Sequence, residues 1–342
     1  MTDIGKKDTE RILLAHGGGG ELTKTLIEKH ILPLLGNPTL NSLGDSAILG
    51  NIKGKICMTT DSFVVQPIEF PGGDIGRLAI CGTVNDLAVM GAIPKAISLA
   101  LIIEEGLELK IFDRVIDSIK SAANEAEVEV VTGDTKVVEH QRGDGLMINT
   151  TGIGILSENA ISGTNAIKAG DVIIINGGIA EHGLAVMCKR EGLGFETELK
   201  SDVAPLNGLI QNILDTGVSV KFMRDPTRSG VAGVLADIIE ATDLTVEINE
   251  STIPLSPVAR HTSEMLGLDP LTVANEGKVI IVAEQADAEK IIKICRKHKY
   301  GRNAAIIGQV IDKKPSLVEL ITVTGGRRIV QRPYGEELPR IC

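Results

Sequence analysis

Several acidic side chains have positions in which they could bind a metal ion and a nucleotide. Asp45 in GDSAI, Asp61 in MTTDS, Asp134 in VVTGDTK and Asp225 in MRDPTRSG are predicted at strand ends or helix starts. A single aspartate after a strand usually forms an Asx turn or a helix cap, so each one alone favours a structural role. Carboxylates from separate elements are nevertheless what Mg²⁺ accepts, with phosphate oxygens and water completing its coordination. The set therefore indicates a metal and nucleotide site.

Asp86 is a further candidate because it is predicted inside a helix, in TVNDLAVMG, beside Val84, Leu87 and Val89. A carboxylate on a predominantly apolar helix is expected to be partly buried. Buried carboxylates are normally paired or coordinate a cation. Asp86 is therefore harder to explain as a turn or cap than the other aspartates.

A run of glycines, Gly17 to Gly20, follows a predicted strand at Ile12 to Ala15. Glycine N–H groups can approach an anion closely, which would suit a phosphate-binding loop. Neither known pattern is complete, because Thr23 replaces the second glycine of Walker A and Leu22 replaces the last glycine of GxGxxG. Taken alone, the run favours a generic glycine turn.

Lys136 follows Asp134 closely enough that both would share one face of an extended segment. In isolation an ordinary ion pair is the favoured interpretation. Beside bound phosphates, the lysine could instead neutralise charge on a transferred phosphoryl group.

The chain ends in a cysteine, Cys342, and the other four are Cys57, Cys81, Cys188 and Cys295. An odd number without CxxC spacing indicates neither a disulfide framework nor a zinc knuckle. From Tyr334 the sequence YGEELPRIC lacks periodicity, which predicts a mobile tail. Extended from Pro333, such a tail would span about 30 Å and could carry a thiol between sites. A frayed terminus is the favoured alternative on the residues alone.

The elements that must position these residues alternate between strands and helices. This pattern predicts layered α/β sheets in both halves, with the domain boundary at Ser157 to Lys168. The predicted strands are Ile12–Ala15, Ala47–Leu49, Lys55–Thr59, Ala96–Ile103, Glu127–Val131, Leu146–Ile155, Asp171–Asn176, Val218–Phe222, Val279–Ala283 and Ala305–Val310. The predicted helices are Asp74–Met90, Leu109–Ala126, Glu181–Arg190, Gly230–Ala241 and Ala286–Lys297.

Composition narrows the class of protein. The 342 residues favour two domains, and 43% hydrophobic with 23% charged residues is ordinary for a globular protein. A net charge of −10 and 2% aromatic residues argue against nucleic-acid binding. No signal peptide or membrane span is predicted, so we expect a soluble cytoplasmic protein.

The motifs together resemble those of the HypE family, the hydrogenase-maturation branch of the aminoimidazole ribonucleotide synthetase (PurM) superfamily. The resemblance runs from about His16 to Cys342 and rests on HGGGG, GDSAI, MTTDSFVVQP, GRLAICGTVNDLAVMGAIP, VVTGDTKVV, MRDPTRSGVAGVL, VANEGKV and PRIC. TTDS, NDLAxMGAxP and GDT are shared across the superfamily, which includes selenophosphate synthetase and thiamine-phosphate kinase. The terminal PRIC is specific to the HypE family.

The resemblance implies a PurM-like α/β (α+β) architecture. It divides the chain into a Gly-rich segment (1–40), an ATP-binding domain (41–156), a C-terminal α/β domain (157–333) and a flexible carrier tail (334–342). The ATP-binding domain would form a β-barrel with its twin at the interface of a homodimer, and the C-terminal domain would close over ATP.

The resemblance also implies ATP and Mg²⁺ as cofactors and gives roles to particular residues. Asp45, Asp61, Asp86 and Asp225 would hold Mg²⁺. The nucleotide would contact Gly18, Gly19, Gly133, Asp134, Thr135 and Lys136 together with Asp45, Asp61 and Asp86. Cys342 would carry the reacting group, and Lys136, Glu276 and His140 would be catalytic candidates for charge neutralisation or proton transfer. A surface salt bridge is the alternative for both Glu276 and His140.

The implied reaction is ATP-dependent dehydration of an S-carbamoyl group on Cys342 to a thiocyanate. The carbamoyltransferase HypF would load the group, and HypC with HypD would receive the cyanide for [NiFe] hydrogenase iron. Two alternatives remain open from the sequence. One is a superfamily enzyme that activates or phosphorylates a diffusible substrate, and the other is a scaffold that binds ATP without consuming it.

Overall fold

The computed structural model describes residues 11–44, 46–50, 52–157, 161–193, 199–335, 338 and 341–342. Its N-terminal segment is helical, with a 3₁₀ turn at Leu14–Gly17, α1 (Glu21–Leu26), a π-turn at Ile27–Ile31 and α2 (Leu32–Leu35). The predicted strand at Ile12–Ala15 is therefore wrong, because within it only Ile12 forms backbone pairs with another segment, through Leu107 O and Gly106 N. The predicted strand at Ala47–Leu49 is also wrong.

A four-stranded sheet with the order β1-β6-β4-β5 forms the first half. Its two edges, β1 and β5, are not paired with each other, so the sheet of one chain is open. The strands are β1 (Ile56–Phe63), the short ribbon β2 (Glu69–Phe70) and β3 (Gly73–Asp74), β4 (Ala92–Glu104), β5 (Glu129–Val138) and β6 (Leu146–Leu156). The helices are α3 (Ile75–Val89) and α4 (Leu109–Glu125).

Both helices form where the sequence predicts them, for different physical reasons. Asp74 caps α3, since its Oδ1 accepts hydrogen bonds from the N–H groups of Gly76 at 2.8 Å and Arg77 at 2.9 Å. α4 is amphipathic and buries one apolar stripe that includes Phe112 and Ile116. Each such side chain contributes about 1.5–3 kcal/mol on burial. α3 is buried on nearly every side, because it packs against the first sheet and also against the second half.

A seven-stranded sheet with the order β13-β12-β9-β11-β7-β10-β8 forms the second half. All of its pairings are antiparallel except β12 with β9. The strands are β7 (Val172–Ile175), β8 (Val220–Arg224), β9 (Thr245–Asn249), β10 (Ile280–Ala283), β11 (Ala305–Ile311), β12 (Val318–Ile321) and β13 (Arg327–Val330). The helices are α5 (Glu181–Arg190), α6 (Asn207–Leu214), α7 (Gly230–Thr242), α8 (Pro257–Leu266) and α9 (Ala288–Lys297).

The predicted layered α/β sheets in both halves are confirmed, and all but two of the predicted strands form. The sequence interpretation missed α1, α2, α6, α8, β9, β12, β13 and the short ribbon. Within the described residues, no helix is sufficiently long and apolar to span a membrane.

The two halves are joined by buried polar contacts as well as by apolar packing. Asn85 on α3 donates from Nδ2 to the carbonyls of Ala204 at 3.0 Å and Glu276 at 3.3 Å, and its Oδ1 accepts from Leu206 N at 2.8 Å. Asn85 is 1% exposed, so losing these bonds would leave buried polar groups unpaired at a cost of about 1–3 kcal/mol each. This side chain fixes Glu276 of the second half against α3 of the first.

Candidate functional site

A cavity of about 450 Å³ lies between the two halves. Its walls include parts of β1, α3 and α7, the loop between β8 and α7, and the last residue of the chain. The lining residues are Asp61, Phe63, Gly82, Asp86, Arg224, Asp225, Thr227, Arg228, Ser229, Gly233, Val234, Asp237, Glu276, Arg332 and Cys342. Three of the predicted metal-binding aspartates, the predicted proton-transfer residue Glu276 and Cys342 therefore share one cavity.

Asp61 and Asp86 reach the cavity from elements that face each other. Strand alternation puts Thr59 and Asp61 on the side of β1 that faces α3. Thr59 Oγ1 donates to Asp86 Oδ2 at 2.7 Å, which orients that carboxylate. Gly82 allows this close packing, because a Cβ there would lie 2.9 Å from Phe63 Cε1. Asp61 lies within β1 and Asp134 within β5, so the expectation that both mark strand ends is wrong.

Asp225 enters from the loop after β8. The chain turns there through two consecutive residues with positive φ, Ser229 at 63° and Gly230 at 58°. Gly230 is required, because a Cβ would meet Leu271 O at 2.5 Å. This turn presents Arg228 to the cavity, where its guanidinium lies 3.7 Å from Asp61 Oδ1.

The charge of Asp86 makes the other two carboxylates harder to ionise. Burial, followed by the charge of Asp86, raises the pKa of Asp225 to about 7 and that of Asp61 to about 6. Burial also raises the pKa of Asp86, although the hydrogen bond from Thr59 opposes the change. A divalent cation would relieve this repulsion, and carboxylate oxygens are the donors Mg²⁺ prefers. The donor chemistry fits Mg²⁺, although among the described residues no three His, Cys, Asp or Glu side chains converge closely enough to hold an ion. Asp45 lies outside the described residues.

Glu276 is buried at the base of the cavity, with 2% of its surface exposed. Its Oε1 has no hydrogen-bond partner within the described part of the chain. Burial and the nearby charge of Asp225 raise the pKa of Glu276 well above its usual value. A carboxyl group with such a high pKa and a free oxygen is suited to proton transfer. Glu276 is buried and forms no salt bridge with any residue that the structure describes, so the surface salt bridge considered as its alternative is not observed.

Cys342 lies in the cavity of its own chain. The sequence predicts a mobile tail, and in this structure its described end is docked, with Leu338 and Ile341 buried and Cys342 partly buried. Burial and the charge of Glu276 raise the pKa of the Cys342 thiol to about 12, against a lowering effect of Arg228. Arg228 also hydrogen-bonds this thiol. The tail thus brings its terminal sulfur beside Glu276 and the aspartates.

The residues predicted to contact nucleotide phosphates lie elsewhere in the chain. In the strand register Asp61 aligns with Thr150, Leu99 and Gly133, so β6 and β4 separate Asp61 from β5. Three strand spacings amount to about 14 Å. The residues at this other edge are Gly133, Asp134, Thr135 and Lys136, and none of them lines the cavity.

The glycine run meets these residues at the β5 edge. A Cβ on Gly17 would lie 2.3 Å from Val137 N, so the run packs directly on β5. Gly19 and Gly133 line a second cavity of about 330 Å³. The structure therefore brings Gly18, Gly19 and Gly133 together beside β5, but away from Cys342.

His140 lies outside both cavities. Its ring is exposed, and Nδ1 lies 3.2 Å from Glu104 Oε1. The salt bridge considered as the alternative for this residue is the arrangement observed.

Several site residues were missed by sequence reasoning. Arg224, Arg228 and Arg332 line the cavity. Arg228 lies beside Asp61, whereas Arg224 and Arg332 pair with Asp237. Arg228 could have been identified, because it lies in the motif MRDPTRSG, two residues after the proline that follows Asp225. His182, which contacts the docked tail through Nε2 at 2.9 Å from Ile341 O, had no signal in the sequence.

The domain models that match the chain describe AIR synthase related proteins. The N-terminal domain model matches residues 44–156 and the C-terminal domain model matches residues 168–319. The carbamoyl dehydratase HypE of Rhizobium leguminosarum bv. viciae is 43% identical over 333 residues, which cover 97% of this chain and 95% of that protein.

Solved structures match over nearly the whole chain. The structure of a hydrogenase maturation protein HypE in complex with ATP has a TM-score of 0.92 and 40% identity, covering 96% of this chain and 99% of that one. A HypE–HypF complex contains a chain with a TM-score of 0.79 and 44% identity, covering 92% of this chain and 100% of that one.

Proposed function

The chain belongs to the HypE family of AIR synthase related proteins, and from that premise we propose that it converts an S-carbamoyl group on its own Cys342 to a thiocyanate. Its near relatives are carbamoyl dehydratases, and the enzyme class carries over to this chain at 43% identity. The observation that carries the proposal is the position of Cys342, which shares one cavity with Glu276 and three aspartates.

The chemistry begins with a thiocarbamate on Cys342 Sγ, whose carboxamide oxygen is a poor leaving group. The γ-phosphoryl group of ATP is transferred to that oxygen, and ADP departs. The C–O bond then breaks with phosphate as the leaving group, while the nitrogen gives up its two protons and forms the C≡N bond. The sum is thiocarbamate plus ATP giving thiocyanate, ADP, phosphate and one proton.

Glu276 is the base that we propose for the nitrogen protons. It is buried, its Oε1 is free to accept a proton, and its raised pKa makes it a stronger base than an exposed carboxylate. Arg228, which contacts the Cys342 thiol, would hold the sulfur end of the thiocarbamate. Closing the tail over the cavity would exclude water that could hydrolyse the thiocarbamate.

Mg²⁺ would be held by Asp61, Asp86 and Asp225, with Asp45 as a fourth ligand, and when bound it would neutralise charge on the phosphates of ATP. The three arginines of the cavity would bind phosphate oxygens through charge-assisted hydrogen bonds.

We propose that a homodimer supplies the residues of the β5 edge to this site. The edge strands of the first sheet, β1 and β5, pair with no further strand among the described residues, and Ile56, Met58 and Ile93 of this sheet are 60%, 67% and 38% exposed. Free edges and an uncovered apolar face favour pairing with a second sheet. Two four-stranded sheets would close into an eight-stranded barrel. Lys136 of one copy could then reach the transferred phosphoryl group at the cavity of the other, beside the glycine run and Asp134.

The undocked tail could present Cys342 to partner proteins. Undocked, it would reach about 30 Å from Pro333, far enough for HypF to load the carbamoyl group. The relative solved in complex with HypF supports this partner. The cyanide would then pass to iron on HypC and HypD.

The test is mass spectrometry of the C-terminal peptide after cyanate carbamoylates the thiols and MgATP is added. We expect the peptide that carries Cys342 to lose one water only when ATP is present. A peptide with carbamoylated Cys57 serves as the internal control and should keep its group.

Two results would contradict the proposal. A carbamoyl group that persists on Cys342, in protein that binds ATP, would favour a diffusible substrate or an ATP-binding scaffold. Thiocyanate formation by a Cys342→Ala variant would also overturn it.

A further inference from the structure

The docked tail is held by specific contacts as well as by its position in the cavity. Leu338 packs beside Gly183, where a Cβ would lie 3.2 Å from Leu338 Cδ1, and a larger side chain there would crowd the tail. Ile341 is 2% exposed, so its backbone carbonyl needs a hydrogen-bond partner inside the protein.

His182 is that partner. It lies in the first turn of α5, is completely buried, and its Nε2 lies 2.9 Å from Ile341 O. A carbonyl oxygen can only accept, so Nε2 carries the proton and donates it. His182 thus contacts the residue next to Cys342.

The rest of the ring is arranged to keep this tautomer. His182 Nδ1 lies 2.8 Å from Ser201 Oγ, and Ser201 Oγ accepts from Val203 N at 3.1 Å. Burial lowers the pKa of His182, so the ring is neutral and Nδ1 accepts the Ser201 hydroxyl proton. In this series of hydrogen bonds, which runs from Val203 N through Ser201 and His182 to Ile341 O, every donor then has an acceptor.

Asp202, next to Ser201, holds the other reacting group. Its carboxylate accepts from Glu276 N at 3.2 Å, Gly277 N at 3.3 Å and Lys278 Nζ at 2.8 Å. Burial alone would raise the pKa of Asp202, but Lys278 outweighs it and keeps the group ionised. Two adjacent residues therefore serve both groups. Ser201 positions the tail through His182, and Asp202 positions the backbone of Glu276.

The first half of the chain fixes this pair of residues in place. Ser201 N donates to Pro71 O at 2.7 Å, and Phe70 packs edge-on against the His182 ring with centroids 5.4 Å apart. A movement of one half relative to the other would therefore displace His182 and change its contact with the tail.

We propose that His182 is a positioning residue that latches the tail, and that Ser201 and Asp202 align the latched Cys342 with Glu276. The inference rests on the proposed function for its catalytic consequence, but the latch itself can be measured without catalysis.

The experiment measures how fast N-ethylmaleimide labels Cys342 in the full-length protein, read by mass spectrometry of the C-terminal peptide. The docked thiol has a pKa of about 12, so labelling occurs mainly from the undocked tail. We expect His182→Leu to speed labelling by about two- to tenfold, the factor that one ordinary hydrogen bond supplies. We expect dehydration of carbamoylated Cys342 to slow by a similar factor.

Two variants distinguish a latch from general damage to the fold. His182→Gln keeps an amide N–H able to reach Ile341 O, so its labelling should return toward that of the wild type. His298→Leu changes another imidazole of the same half that does not contact the tail, and Cys342 labelling should not change. Labelling of Cys57 serves as the internal reference in every sample.

The latch is overturned if His182→Leu labels at the wild-type rate, or if His182→Gln labels as fast as His182→Leu. If His182→Leu does not fold, Ser201→Ala decides. It removes the hydroxyl that fixes the tautomer, together with the acceptor of Val203 N, and should speed labelling about twofold. Unchanged labelling in Ser201→Ala would then overturn the latch. Wild-type protein that never loses water would contradict the proposed function and leave the labelling comparison intact.

Discussion

The cavity between the halves and the β5 edge are both built from predicted site residues, but their environments differ. In the cavity, Asp61, Asp86 and Asp225 are partly buried, burial raises the pKa of each, and the charge of Asp86 raises the pKa of the other two further. At the β5 edge, Asp134 and Lys136 are exposed on a strand that could pair with another sheet. One chain therefore brings Glu276, the proposed base, and Cys342 together by itself, whereas the predicted phosphate-binding residues lie three strand spacings, about 14 Å, from Asp61. This difference suggests that a complete site needs two copies.

The largest expected effect is in the cavity. Glu276→Gln keeps the size of the side chain and cannot take a proton, so the dehydration rate should fall by about 10²- to 10⁴-fold. The rate is measured by loss of water from the C-terminal peptide, and ATP binding by calorimetry should remain. Glu319→Gln is the matched control, since Glu319 is another buried glutamate, pairs with Lys313 and does not line the cavity. Near-normal dehydration by Glu276→Gln would place the base elsewhere, with Lys136 the next candidate.

A mixing experiment tests whether the two regions meet across a dimer. Lys136→Ala alone should lower the rate about 10²- to 10³-fold, the usual loss when a charge-stabilising group is removed. Cys342→Ala alone should be inactive. Random re-association of the two variants should restore up to about a quarter of the wild-type activity, because one site of each mixed dimer is intact.

The mixture is compared with each variant alone after the same dissociation and re-association. No recovery, in samples shown to contain mixed dimers, would mean that Lys136 serves the Cys342 of its own chain. The inference that the β5 edge of one copy completes the cavity of the other would then be wrong.

The packing of the glycine run on β5 predicts a stability difference between neighbouring glycines. Gly17→Ala places a Cβ 2.3 Å from Val137 N and should cost about 1–3 kcal/mol in the free energy of unfolding. Gly18→Ala meets only Ala15 O at 3.6 Å and should cost less than about 0.5 kcal/mol. Denaturant unfolding measures both. Equal losses would show that the run does not pack tightly on β5.

The smallest expected effect is the pH dependence of the cavity without metal. Asp225 has a folded pKa of about 7, well above its unfolded value, so the folded state binds more protons and its stability falls as pH rises from about 4 to 7. Asp61 acts in the same direction. Solvent screening limits the contribution to about 1–2 kcal/mol.

Thermal unfolding in chelator and in Mg²⁺ measures this effect. Mg²⁺ should raise Tm more at pH 8 than at pH 5, because the carboxylates bind it only when ionised. Asp225→Asn should weaken both the pH dependence of Tm and its increase with Mg²⁺. Asp134→Asn at the β5 edge is the matched control and should leave both unchanged. A Tm response to Mg²⁺ that survives Asp225→Asn would argue against an ion at this cluster.

Much of the fold could be predicted from the sequence because its strongest signals are local. The periodicity of α4 and the cap at Asp74 depend on neighbours within a few residues, and both helices form as predicted. The missed strands β12 and β13 are short and lie at one end of the second sheet, where β13 pairs with β12 and β12 pairs in turn with the distant β9. Such pairing joins distant segments and leaves little trace in local patterns.

The sequence by itself predicted the candidate residues: the acidic set with Asp86 and the terminal Cys342 from the residues, and Glu276 through the family resemblance. Only the tertiary structure decided which of them meet. Cys342 lies beside Glu276, whereas Lys136 and His140 lie outside their cavity, and Arg228 and His182 contact the end of the tail. These contacts could not be read from local sequence, because burial, pKa and hydrogen-bond partners depend on segments far apart in the chain. Residue type fixes what a side chain can donate, accept or carry, and packing fixes which partner it finds.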